Sequence, residues 1–282
     1  MGTVFALVAA LCYGGADFLG GSATRRAPVL SVLLVCNVAG VALVLAAAVA
    51  AGARPDLAGT GWGAAGGAAG GIGLMFFYTG LAAGPMNVVA PLSALTATVL
   101  PVTVALALGE RPGPLVYAGA LTCLFAIVLI SSGGGPAAAG QQRGRAQGIC
   151  YGIAAGLAFG LFFLFVRNGG ESSALWPVAA ARVAGLVVVL IGAAGTSAGP
   201  LWWRPDGRLF GAALLSGLLD AGANVSYVLA TRAGMFGIAV VMTSLYPAVT
   251  ILLARVVLGE RTAWVQRAGL VLAAVGVILV TA

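Results

Sequence analysis

The sequence Leu-Gly-Glu-Arg stands at positions 108–111 and again at positions 258–261, each time at the end of a long apolar run. The repetition reaches beyond these four residues, because Ala-Gly at positions 83–84 recurs at positions 233–234 with the same offset of 150 residues and without a gap. The chain is therefore predicted to be a duplication in which both halves carry the same hydrophobic layout.

The composition predicts that the solvent of this chain is a lipid bilayer. Of the 282 residues, 61% are hydrophobic and 7% are charged, whereas a soluble domain has about 25% charged residues. A protein core cannot absorb such an excess of apolar side chains. The net charge of +7 is carried by arginines spread over short loops, which favours contact with lipid headgroups over binding of nucleic acid, since the latter needs a contiguous basic patch.

The sequence lacks the residues that most metal and cofactor sites use. Histidine is absent, and the four cysteines show no Cys-x-x-Cys spacing, so they are expected to be small apolar residues within the spans. No phosphate-binding loop motif for ATP is present. We therefore predict no metal, no cofactor and no catalytic residues, and a membrane-embedded enzyme is the least favoured class of function because only seven acidic residues are scattered along the chain.

The apolar runs predict an all-α polytopic membrane protein with ten transmembrane helices, since a helix needs about 20 apolar residues to cross the hydrocarbon core. Five spans fall in a first unit, residues 1–132, and five in a second unit, residues 148–282, with a Gly-rich linker at 133–147. Five is an odd number, so the second unit is expected to be inverted relative to the first. The predicted spans are 3–22, 28–50, 60–82, 86–108, 114–132, 148–168, 174–196, 208–231, 235–258 and 264–281.

Two spans carry glycine at every fourth position, which places the glycines on one helix face where a neighbouring backbone can approach closely. The two stripes are Gly59, Gly63, Gly67 and Gly71, and Gly148, Gly152, Gly156 and Gly160. The Leu-Gly-Glu-Arg ends are interpreted as corners between helices. Gly109 and Gly259 can take the left-handed conformation that ends a helix, and Glu110 and Glu260 are expected to face the N-terminus of the next helix.

Several short motifs resemble those of a known family. They are the aromatic-glycine stretch at positions 13–18, Gly-Pro-Met at 84–86, Ser-Leu-Tyr-Pro-Ala-Val-Thr at 244–250 and the two Leu-Gly-Glu-Arg ends. With the layout of five plus five spans, the chain resembles the EamA family of the drug/metabolite transporter superfamily over nearly its whole length. The resemblance implies a ten-helix secondary transporter of the plasma membrane that exports small metabolites, amino acids or drugs.

The eighth predicted span carries five polar residues at helical spacing, so that they share one face. This pattern favours a water-filled cavity, and the alternative is a ladder of hydrogen bonds to neighbouring helices. In the repeat alignment the corresponding positions of the third span hold glycine, leucine or phenylalanine. The polar positions are Ser216, Asp220, Asn224, Tyr227 and Thr231.

Four further residues are candidates for substrate binding or ion coupling, because charged and polar groups within spans commonly mark transport pathways. Asp17 could bind a cationic group or carry a coupling proton, or it could be an interfacial carboxylate near the basic pair at 25–26. Arg182 could hold an anionic group, or pair with Asp220 or Asp17. Asn37 is the repeat counterpart of Arg182 at an offset of 145 residues, and Tyr246 lies next to a proline that should kink its helix.

The function thus predicted is secondary active transport by alternating access, and a channel or a non-transporting membrane scaffold is the alternative. A site that holds aspartate, arginine and hydroxyl groups suits amino acids and other zwitterions, while the aromatic residues would also suit hydrophobic drugs. The expected partners are a small-molecule substrate and the lipid bilayer. The sequence leaves open whether the protein is a monomer or a homodimer.

Overall fold

The computed structural model describes residues 1–24, 26–27, 29–83, 86–131, 142–169, 174–194, 207–258 and 263–281. These residues form eleven helices and no strand. The helices are α1 (Gly2–Thr24), α2 (Val29–Ala50), α3 (Leu57–Ala83), α4 (Met86–Ala107), α5 (Pro114–Ser131), α6 (Gln142–Arg167), α7 (Leu175–Ala194), α8 (Gly207–Ala233), α9 (Phe236–Thr243), α10 (Tyr246–Leu258) and α11 (Trp264–Thr281).

Nine of the ten predicted spans each correspond to one helix, and the ninth is divided into α9 and α10. A turn at Ser244 and Leu245 separates the two, and the backbone N–H of Leu245 donates to the carbonyl of Met242 at 3.3 Å. Pro247 contributes to this interruption, because it lacks an N–H and is best accommodated in the first turn of a helix, which is where it stands in α10. The predicted kink at this proline is therefore a complete break.

Six helices within the described residues are long and apolar enough to cross a membrane, and three apolar helices are shorter. The protein is thus an all-α, polytopic membrane protein, as predicted. The six spans are Gly2–Ala23, Ser31–Ala50, Ala146–Arg167, Leu175–Gly192, Gly207–Ala233 and Phe236–Val257, the last of which includes both α9 and α10. The shorter apolar segments are Leu92–Ala107 within α4, Pro114–Ile130 within α5 and Trp264–Val280 within α11.

The helix packing repeats between the two halves of the chain. The helix α3 packs against α6 and α7, and its counterpart α8 packs against α1 and α2. At the crossing of α3 and α7, a methyl group on Gly67 would overlap the backbone of Ala181, and at the crossing of α8 and α2 one on Gly217 would overlap the backbone of Cys36. Gly217 lies 150 residues after Gly67, and Ala181 lies 145 residues after Cys36, which are the two repeat offsets. The same contact is therefore present once in each copy of the repeat.

The helices α5 and α11 form a close antiparallel pair that shows the same repetition. A Cβ atom built on Gly119 would lie 2.8 Å from Val280, and one built on Gly269 would lie 2.8 Å from Ile130. Gly269 lies 150 residues after Gly119, and Val280 lies 150 residues after Ile130, so the two contacts are copies of each other. The close packing predicted for the two glycine stripes is confirmed at Gly67 in α3 and in α6, where a Cβ atom on Gly156 would lie 2.6 Å from the carbonyl oxygen of Ser93.

The first Leu-Gly-Glu-Arg corner ends α4 as predicted, since Gly109 has a φ of 93°. The predicted partner of Glu110 is wrong. Its carboxylate accepts hydrogen bonds from the backbone N–H groups of Phe236 at 2.7 Å and Gly237 at 2.9 Å, which begin α9 and not the next helix, α5. A carboxylate is favoured at any helix N-terminus, and α9 has no side-chain cap of its own. The second corner, at residues 259–261, lies outside the described residues.

A candidate substrate site at the centre of the bundle

An ion pair joins α7 and α8 near the middle of both helices. The Nη1 atom of Arg182 donates a hydrogen bond to the Oδ2 atom of Asp220. The Arg182 side chain is 9% exposed and that of Asp220 is 36% exposed, so the pair lies inside the bundle with its acidic member open to an internal space or to solvent. Of the alternatives left open for Arg182, pairing with Asp220 is the one that the structure shows.

Asp17 brings a second carboxylate to this pair from α1. Its side chain is exposed, and it is close enough to Asp220 for the two negative charges to interact. It also interacts electrostatically with Tyr246 at the start of α10. Among the described residues no basic side chain forms an ion pair with Asp17. The structure therefore places two acidic groups and one basic group together.

Tyr13 belongs to the same cluster, although the sequence pointed to it only as part of the aromatic-glycine stretch at positions 13–18. It lies one helical turn before Asp17, and its ring centroid is 6.1 Å from that of Tyr246. Its hydroxyl oxygen is buried and has no hydrogen-bond partner among the described residues. An aromatic residue in an apolar helix usually packs against its neighbours, so apart from that stretch the signal in the sequence is the four-residue spacing of Tyr13 from Asp17.

The other four polar residues on the same face of α8 as Asp220 donate to backbone carbonyls. Ser216 donates to the carbonyl of Ala16 on α1 at 2.8 Å, and Tyr227 donates to that of Phe163 on α6 at 3.0 Å. Their hydroxyls therefore tie α8 to neighbouring helices, which is the ladder that the sequence left as an alternative. Asn224 donates to the carbonyl of Asp220 at 2.7 Å.

The last member of the face, Thr231, donates within α8 to the carbonyl of Val228 at 2.9 Å. The exposed fractions are 5% for Ser216, 4% for Asn224, 0% for Tyr227 and 8% for Thr231. Asp220 is thus the member of this face whose side chain is most accessible.

Asn37 is half-buried on α2 and donates within its own helix to the carbonyl of Leu33 at 2.9 Å. The thiol of the preceding residue, Cys36, is close enough to Arg182 and Asp220 to interact with them electrostatically. The Cys36 thiol also donates to the carbonyl of Ala213 at 3.1 Å. The structure therefore brings Asp17, Arg182, Asp220 and Tyr246 together and leaves Asn37 beside them with its amide group already bonded.

The site holds no set of residues suited to a metal ion. Within the described ranges, no three histidine, cysteine, aspartate or glutamate side chains come together. The chemistry available is therefore that of charge pairing and hydrogen bonding: two carboxylates, one guanidinium and two phenolic hydroxyls, supplied by α1, α7, α8 and α10.

Comparison with known proteins gives the family of the chain. The EamA-like transporter family matches residues 1–132 and 146–282. A crystal structure of a protein superposes with a TM-score of 0.82 at 20% sequence identity, covering 99% of this chain and 96% of that chain; at this identity the likeness concerns the fold. No curated protein matches the sequence. The chain belongs to the EamA-like transporter family of the drug/metabolite transporter superfamily and is a multi-pass membrane protein.

Proposed function

We propose that the protein is a secondary transporter that exports small metabolites, amino acids or drugs across the plasma membrane by alternating access. One observation carries the proposal: the paired charges of Arg182 and Asp220 lie beside Asp17 between α1, α7 and α8. Such groups are expensive within a bilayer, about 2.5–3.5 kcal/mol each near the centre of a span on insertion scales, and they commonly mark a substrate or ion pathway.

A purely structural role explains less of this arrangement. Burial of an ion pair is weak evidence for stability, because desolvation of both charges offsets their attraction, and an apolar pair of similar volume is often as stable. The ion pair also leaves Asp17 unexplained, since this third charge repels Asp220 and has no ion-pair partner among the described residues. A solute or a proton that occupies the centre during part of the transport cycle accounts for all three residues.

The duplicated contacts support alternating access between two inverted halves of five spans. The contact between Gly67 and Ala181 joins the halves, and so does its copy between Gly217 and Cys36. If the two halves swap conformations, each interface takes the place of the other. The protein can then adopt two equivalent conformations, each open to one side of the membrane. The broken helix of α9 and α10 adds irregular backbone beside the charged centre, as is common in transporters.

The driving force is proposed to be a proton gradient, exchange of solutes or the gradient of the substrate itself, because the sequence holds no ATP-binding motif. Asp17 and Asp220 are the candidates for proton coupling, since a carboxylate is the group here that can gain and lose a proton within the cycle.

Counterflow in liposomes tests the proposed function. Purified protein is reconstituted into liposomes loaded with a mixture of unlabelled amino acids and other small metabolites, and uptake of each labelled solute is measured with and without the internal mixture. A transporter gives saturable uptake that the internal solute accelerates. A channel gives uptake without acceleration, and a scaffold gives uptake equal to that of protein-free liposomes. Equal uptake with and without an imposed pH gradient would rule out proton coupling.

A further inference from the structure

Two hydrogen-bond donors at the charged centre are buried and have no acceptor among the described residues. They are the hydroxyl of Tyr13 and the Nη2 group of Arg182. A buried donor without an acceptor destabilises a folded protein, so such groups are rare and call for an explanation. The two donors lie on different helices, α1 and α7, so one local distortion of the backbone does not account for both.

The two donors lie within electrostatic range of the same ion pair. Tyr13 interacts electrostatically with both Arg182 and Asp220, and Arg182 interacts with Tyr13 as well as with its ion-pair partner. Asp220 satisfies only the Nη1 side of the guanidinium. A guanidinium presents its donors as a planar fork that suits the two oxygens of a carboxylate. The vacant half of this fork and the phenol of Tyr13 are therefore donors that one carboxylate could satisfy.

The charge balance restricts the ligand further. When Asp17 and Asp220 are both ionised they outnumber Arg182, and a ligand that carries only negative charge would then be repelled. A ligand that carries only positive charge would leave Tyr13 and the Nη2 group without an acceptor. A molecule with one carboxylate and one ammonium group satisfies the two donors and compensates the charge of Asp17 at once.

We propose that the substrate is a small zwitterion whose carboxylate accepts hydrogen bonds from Tyr13 and Arg182 while its ammonium group faces Asp17; this rests on the proposed transport function. Because the two donor atoms are buried, the ligand reaches them when the helices around the centre part. The turn at Ser244 and Leu245 provides a hinge for this movement, since α10 begins there and its first residue packs against the Tyr13 ring.

The chemical class of the substrate is tested on the purified full chain in detergent or nanodiscs. The twenty L-amino acids are screened for a rise in thermal midpoint, because a ligand that binds only the folded state stabilises it. Each amino acid that binds is then compared with its amide, which lacks the carboxylate, and with its deaminated acid, which lacks the ammonium group. We expect each analogue to bind about tenfold or more weakly than the parent, as loss of a charged hydrogen bond does.

Two tyrosine variants separate a binding role from a structural one. The substitution Tyr13→Phe keeps the ring and removes a hydroxyl that bonds to no described residue, so it should leave the stability of the empty protein unchanged or raise it, while weakening binding of the amino acid about tenfold. Tyr227→Phe is the matched control. It removes a hydroxyl that donates to the carbonyl of Phe163, so it should lower the thermal midpoint and leave binding unchanged.

The outcomes distinguish this proposal from the transport function itself. Amides that bind as tightly as their parent amino acids, or unchanged binding by Tyr13→Phe, would overturn the zwitterion site. The zwitterion site is also overturned if no amino acid binds while a lipophilic cation such as ethidium is transported, and in that case the transport function stands. If neither the amino acids nor ethidium are transported in liposomes, the transport function fails and the site proposal with it.

Discussion

The helices α3 and α8 are two copies of one helix, and they differ in what they offer to the centre of the protein. Each is 27 residues long, and each presses a glycine, Gly67 or Gly217, against the backbone of a helix from the other half. The positions of α3 that correspond to Ser216, Asp220 and Tyr227 hold two glycines and a phenylalanine. The copies therefore share a backbone contact and differ in their side-chain chemistry.

This difference separates the constraints on folding from those on function. A helix crossing at backbone distance leaves no room for a side chain, so both copies need glycine at the crossing. The remaining positions are free of that constraint. In α8 they carry the acidic partner of Arg182, and in α3 they carry residues that pack against the phenylalanines of α6, as Gly70 does against Phe162.

The largest effect is expected when the shared contact is broken. Gly67→Leu and Gly217→Leu both place a side chain where backbone atoms of the neighbouring helix lie, so each should cost more than the about 1–3 kcal/mol typical of overpacking. Neither variant should yield folded, monodisperse protein on size-exclusion chromatography. Gly61→Leu on α3 and Gly222→Leu on α8 are the controls, because nothing lies within 4 Å of a Cβ atom at either position.

A well-folded Gly67→Leu variant with normal transport would contradict the close crossing of α3 and α7. A clear difference between Gly67→Leu and Gly217→Leu would show that the two copies of the contact are not equivalent.

The next largest effect is expected at the ion pair that only α8 supplies. Asp220→Ala leaves Arg182 buried without its partner, which should lower the free energy of unfolding by about 3 kcal/mol, near the lower end for such pairs because the aspartate is partly exposed. The double variant Arg182→Met with Asp220→Leu should restore the thermal midpoint, since an apolar pair avoids desolvation of two charges, and it should not transport. Transport by this double variant would show that the pair serves packing alone.

The smallest effect is expected at the hydroxyl that ties α8 to α1. Ser216→Ala removes the hydrogen bond to the carbonyl of Ala16, and should lower the free energy of unfolding by about 0.5–1.5 kcal/mol while counterflow remains at the wild-type rate. The repeat counterpart, Gly66, has no hydroxyl, so the substitution makes α8 more like α3 at this one position. If the variant kept full stability and lost transport, Ser216 would belong to the substrate site and would not serve only to bond α8 to α1.

Much of the fold follows from the sequence because span length is a local property. A helix that crosses the bilayer must stay apolar for about 20 residues, so the ends of the apolar runs predict the helix ends to within a few residues. The ninth span was predicted to be kinked and not divided. Pro247 restricts the backbone, but its presence does not determine whether the helix continues directly beyond it. The partner of Glu110 was wrong because it lies 126 residues away and depends on tertiary packing.

The candidate site was predicted in part for the same reason. Asp17, Arg182 and Asp220 could be singled out because each is a charge in an apolar run, and pairing of the last two was among the alternatives. Tyr13 stood in a motif of the family but was not predicted as a site residue, because its hydroxyl stands out only when the surrounding helices bury it without an acceptor among the described residues. Conversely, the polar face of α8 was predicted to line a water-filled cavity along its length. In the structure, Ser216 and Tyr227 instead donate hydrogen bonds to neighbouring helices.

The most direct test compares two aspartate variants in the counterflow assay. Asp220→Asn keeps the size of the side chain and removes its charge at the centre. Asp56→Asn makes the same change in the cap of α3, where the carboxylate accepts a hydrogen bond from the N–H of Gly59 at 2.9 Å and asparagine caps equally well. The account predicts wild-type counterflow for Asp56→Asn and uptake equal to protein-free liposomes for Asp220→Asn. Equal counterflow by both variants would contradict it.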